Sequence, residues 1–68
     1  MPSSAIRDFD YDMDARQLIV LFTTGRRYLY SAVPADVADG LASASSKGRY
    51  FNARIRDAYD FVELASVG

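Results

Sequence analysis

Residues 18–30 read LIVLFTTGRRYLY. The first five, Leu18 to Phe22, are branched or aromatic throughout, which makes them a central strand. Thr23-Thr24-Gly25 then supplies a hairpin turn, with Gly25 as the residue suited to positive φ. Arg27 to Ser31 returns as a second strand, with Tyr28 and Tyr30 on one face and Leu29 on the other. The loop length decides which face that is. With Thr24 and Gly25 alone in the turn, the tyrosines share a face with Ile19 and Leu21. With one more residue, they join Leu18, Val20 and Phe22. The longer loop, closed by a glycine-assisted bulge, is favoured because it gathers the aromatic side chains into one core. The competing reading makes Tyr28 and Tyr30 an open stacking platform for bases.

Working outward, Ser4 to Tyr11 forms a further strand with Phe9 and Tyr11 on one face. Ile6 is out of phase with them, which calls for a bulge between. Asp12 to Ala15 is a short polar turn. After the hairpin, Val33-Pro34 marks the strand end, and Pro34 suits the first turn of a helix. Asp36 and Asp39 lie near the positive end of that helix, and Val37 and Leu41 give its buried stripe. Gly40 weakens it, and Ser43 to Ser46 close it. A second helix runs from near Gly48 to about Tyr59. At about 100° per residue, Phe51, Ile55, Ala58 and Tyr59 fall on one face. Phe61 to Leu64 is open as a last edge strand. The fold expected is α+β: an antiparallel β-meander of three strands, or four with the last segment, carrying two helices on one face.

The chain has 68 residues, which bounds it to one small domain spanning 1–68. Such a chain buries only about 60% of the surface it exposes when unfolded. It has no cysteine and no histidine, so disulfide staples and the usual zinc ligands are missing. Half the residues are hydrophobic, with five tyrosines and four phenylalanines, enough for a core. No export signal or membrane-length apolar run is visible, so a soluble, cytoplasmic domain is expected. No cofactor is expected either.

The acidic run DFDYDMD, residues 8–14, opens like a calcium loop. Such a loop needs Gly at its sixth position and Glu at its twelfth. Counted from Asp8 these are Met13 and Ile19, so the calcium reading fails, and a charged strand edge that discourages edge pairing is the simpler account. No nucleophile–base pair can be assembled without His or Cys. The glycines are too scattered for a phosphate loop. The chain reads as non-enzymatic.

Two surfaces remain. Ile19, Leu21 and Leu29 lie opposite the tyrosine face, and three adjacent aliphatics on a sheet make a candidate self-association patch, with a homodimer as its product. Residues 45–56, SSKGRYFNARIR, carry Lys47, Arg49, Arg54 and Arg56 and no carboxylate. On a helix, Arg49 and Arg56 are seven apart and nearly superposed, with Tyr50 and Arg54 on one flank. The functional reading is a phosphate-contacting stripe, with Tyr50 available to stack on a base. The simpler reading is a solvated face whose arginines pair with Asp36, Asp39 or Asp57, with Tyr50 packed at the helix edge.

Ser3-Ser4-x-Ile6, then Phe9, Tyr11 and Asp12, then a hairpin ending in Tyr28-x-Tyr30-x-x-Val33-Pro34, stand in a characteristic order. They are followed by Ala44-Ser45-Ser46-x-Gly48-x-Tyr50-Phe51-Asn52-x-x-Ile55-Arg56. Together these resemble the KTSC domain, over residues 3–64. That domain is named for its place at the carboxyl end of some lysyl-tRNA synthetases and also occurs as a stand-alone bacterial or phage protein. The resemblance implies RNA as a partner and carries no active-site residue with it. Of the basic side chains, Arg56 matches the family pattern most firmly. One departure is Tyr59-Asp60-Phe61, where many relatives read Y-P-F.

Overall fold

The computed structural model describes residues 6–64. The hairpin is formed by β2, Gln17–Phe22, and β3, Arg27–Tyr30. Leu18 faces Tyr30 across the ladder and Val20 faces Tyr28, so the tyrosines share a face with Leu18 and Val20. The turn explains this register. The Gly25 N–H donates to the Phe22 carbonyl at 2.9 Å, and the Phe22 N–H donates to the Arg26 carbonyl at 3.0 Å. Thr23, Thr24 and Gly25 are therefore the loop, closed by a bulge, with Gly25 at φ +91°. The longer-loop expectation holds. Tyr30 is core, at 3% exposure, whereas Tyr28 is only half-buried.

β1, Ile6–Asp12, pairs antiparallel with β2, and its register shifts between Ile6 and Asp8. The bulge lets Ile6 and Phe9 both pack against the core. The expected start of this strand at Ser4 lies outside the described residues. At its other end the Asp12 Oδ1 accepts from the N–H groups of Asp14, at 3.0 Å, and Ala15, at 3.1 Å. This local carboxylate capture makes the β1–β2 turn. The Tyr11 hydroxyl donates to the Val33 carbonyl at 2.6 Å, tying the first strand to the entrance of the helical segment.

A fourth strand does form. β4, Phe61–Leu64, pairs antiparallel with β3, and the sheet order is β1-β2-β3-β4. The Ser31 N–H donates to the Asp60 carbonyl at 2.9 Å. This contact uses the backbone oxygen, so the Asp60 side chain takes no part in it.

Between β3 and β4 lie α1, Ala35–Ser43, and α2, Lys47–Arg54. Pro34 is the N-cap of α1 and still extended, at φ −66° and ψ 153°. Its carbonyl accepts from Val37 and Ala38. Ser46 caps α2 by accepting from the Arg49 N–H at 3.4 Å. Both helices cover one sheet face: Leu41, Phe51 and Ile55 close over Leu18, Val20, Tyr30 and Val33.

α2 is shorter than its periodicity predicts. The Phe51 carbonyl accepts from both the Ile55 and Arg56 N–H groups, each at 2.9 Å. That shared acceptor breaks the regular ladder, and Ile55 leaves the helix at φ −119°. Ile55 stays buried and Tyr59 packs against the core, but Ala58 is exposed. Arg56 consequently lies beyond the helix, so the regular helical spacing that the expected stripe of Arg49 and Arg56 requires ends before it.

Candidate nucleic-acid interface

The five residues singled out in the basic stretch take three different positions. Lys47 turns back on α1: its Nζ donates to the Ala42 and Ala44 carbonyls, each at 3.3 Å. These are acceptors at the helix C-terminus, where a cation also meets the negative end of the dipole. Tyr50 lies across α1 as well. Its hydroxyl donates to the Val37 carbonyl at 3.0 Å, and its ring covers Gly40, where an added Cβ would sit 2.6 Å from the ring carbon Cζ. Gly40, expected only to weaken the helix, is the reason this ring can approach.

Arg49 and Arg54 are exposed on α2. Five residues apart, they point about 140° from one another around the axis. Among the described residues, neither they nor Arg56 form an ion pair with Asp36, Asp39 or Asp57. The solvated-face reading expected such pairs.

Arg56 instead borders a cleft of about 410 Å³ between the hairpin turn, the outer half of the sheet and the segment after α2. Tyr28, Tyr30 and Phe61 line it, as do Arg26 and Asp57. The ring of Phe61 lies 5.4 Å from those of Tyr28 and Tyr30, tilted by 50° and 35°. Phe61 is 51% exposed, so this aromatic cluster is open at one side. The Arg26 Nε lies 3.9 Å from a Glu63 carboxylate oxygen, in an exposed pair. Hydrogen bonding to the Tyr28 side chain, and then the charge of Glu63, hold the Arg26 guanidinium more firmly protonated. Burial pushes the Tyr30 hydroxyl up to about 12. Sequence reasoning named Asp57 as a candidate partner of the arginines but missed Arg26 and Phe61 as neighbours of Arg56. The β3–β4 pairing, which sets Phe61 beside Tyr30, brings Phe61 into this lining.

On the other sheet face, Ile19, Leu29 and Val62 form one row across three strands, and the next row runs Leu21, Arg27, Leu64, with the arginine between the two leucines. Val62 is 58% exposed, and Ile19, Leu21 and Leu29 are half-buried. Val62 and Leu64 extend the patch that the sequence suggested.

The sequence pattern of the KTSC domain matches residues 2–59. The chain belongs to the KTSC domain family. An uncharacterised protein of Stutzerimonas stutzeri is 42% identical over 52 residues, 76% of this chain and 73% of that one. A lysine–tRNA ligase of Nostoc punctiforme is 36% identical over 62 residues, covering 91% of this chain and 11% of the ligase. The KTSC chain thus spans about a tenth of that enzyme's length. The crystal structure of a KTSC domain protein from Yersinia pestis superposes with a TM-score of 0.86 at 31% identity, covering 96% of this chain and 94% of that one. KTSC domains are not known as an enzyme family. Among the described residues no helix is long and apolar enough to cross a membrane.

Proposed function

We propose that this KTSC domain is a non-enzymatic RNA-binding module whose phosphate contacts come from Arg49 and Arg54 on α2 and from Arg56 just beyond it. The observation that carries the reading is the absence of carboxylate partners for these three exposed arginines among the described residues. Exposed guanidinium groups without internal partners can exchange counterions for backbone phosphates. The similarity to part of a lysine–tRNA ligase favours RNA as the polyanion. Lys47 and Tyr50 are engaged with α1 and support the surface from behind.

Titration of a single-stranded RNA at several salt concentrations tests this. Arg49→Gln combined with Arg54→Gln is expected to weaken binding with little change in melting temperature. Each lost phosphate contact should flatten the slope of log affinity against log salt by about 0.7. Equal affinity of wild type and the double variant at low salt would remove these arginines from the interface.

A second reading rests on the outer sheet face. The row of Ile19, Leu29 and Val62, with Leu21 and Leu64 on either side of Arg27 in the next row, supports self-association as a homodimer. Sedimentation should then show a dimer that Val62→Lys or Leu29→Lys converts to a folded monomer. A wild-type monomer at high protein concentration rules this out.

A further inference from the structure

We infer that the cleft between the hairpin turn and the segment after α2 is a nucleotide subsite, taking one base with its phosphate. This deepens the RNA reading, and rests on it only for the class of ligand. Three features of the cleft converge on that chemistry. Its aromatic lining is open where Phe61 is exposed, beside Tyr28 and Tyr30, and a planar base stacks on such rings regardless of its identity. Arg56 reaches it from the segment after α2, and Arg26, paired with Glu63 at 3.9 Å, from the end of the hairpin turn. Arg56 is therefore the cation free to meet a phosphate, and Arg26 adds positive charge to the same lining. Asp57, in the same lining, is an acceptor suited to a base with an exocyclic amino group, such as cytosine.

Sheet-face stacking by Tyr28 and Tyr30 alone is ruled out by the burial of Tyr30 at 3% exposure. Phe61 changes the geometry: it continues the tyrosine row onto the neighbouring strand, outside the part of the sheet roofed by Phe51 and Ile55. The surface that the helices leave uncovered is the one that can accept a ring.

The same recognition suits a free nucleotide or a base within a strand, and two probes separate them. Cytidine 5′-monophosphate and a cytidine hexaribonucleotide are each titrated into uniformly labelled protein and followed by NMR. Shifts at Thr24, Tyr28 and Phe61 with both probes support a nucleotide subsite for free ligand. Shifts with the hexamer alone support a subsite for a base in a strand. Phe61→Leu keeps an apolar side chain but removes the stacking face, and is expected to weaken binding about tenfold. Arg56→Gln is expected to weaken it and to flatten the hexamer's salt slope by about 0.7. Chemical denaturation of both variants separates lost binding from lost folding. Two results would overturn the subsite: no cleft shift with either probe, or full hexamer affinity in both folded variants. In the second case the RNA reading stands on α2 alone. Binding of the mononucleotide with none of the hexamer would keep the subsite and overturn the RNA reading.

Discussion

Phe51→Ala is expected to lose about 3–5 kcal/mol of folding stability. Phe51 is 2% exposed and is the contact through which α2 grips the sheet. Its ring meets Phe22 at 5.3 Å and 75°, and Tyr30 at 5.4 Å and 80°. Both are edge-to-face arrangements, which add to the area term. A chain of this length has a total stability of about 3–10 kcal/mol. The loss therefore approaches the whole margin, with no disulfide to cushion it. Urea denaturation should show a variant largely unfolded in water, whereas Phe51→Leu, which keeps more of the volume, should retain a cooperative transition. A midpoint for Phe51→Ala indistinguishable from wild type would move the core elsewhere.

The second large effect is expected at Gly40, and two opposing terms decide its sign. In an exposed helix interior, Gly→Ala stabilises by about 1 kcal/mol. Here the added methyl runs into the Tyr50 ring, including its hydroxyl. Overpacking of this kind typically costs about 1–3 kcal/mol. The displaced ring also gives up its hydrogen bond to Val37, a further loss of about 1 kcal/mol. The steric term wins, and Gly40→Ala is expected to destabilise by about 1–3 kcal/mol. Adding Tyr50→Ala removes the obstacle, so the double variant should be more stable than the sum of the two single losses predicts. Strict additivity in denaturation midpoints would show that the two residues do not share a contact.

The β2–β3 register was legible because one backbone requirement and one side-chain pattern agree: a glycine placed for positive φ, and alternate tyrosines that need cover. The Ile6 bulge was legible for a similar reason, an apolar side chain out of phase with its neighbours. The end of α2 was not. The apolar spacing of Phe51, Ile55, Ala58 and Tyr59 continues smoothly past the break, and the shared Phe51 carbonyl that stops the helix leaves no mark in that spacing. Gly40 could be read as a poor helix residue, but not as the floor beneath Tyr50, because that contact joins two helices. The surroundings of Arg56 were hidden likewise. They depend on Phe61 arriving beside Tyr30 from across the whole helical segment.

That arrival has a consequence for the order in which the sheet assembles. β1 joins β2, and β2 joins β3, across turns of a few residues, whereas β3 meets β4 only after residues 31–60 have been looped out. Closing the longer loop costs about 2 kcal/mol more in chain entropy than closing the hairpin. β4 has four residues, of which only Leu64 is even half-buried, so it recovers little of that cost on its own. The three-stranded meander can condense from local contacts. The fourth strand must wait for α1 and α2 to settle on the sheet and deliver it.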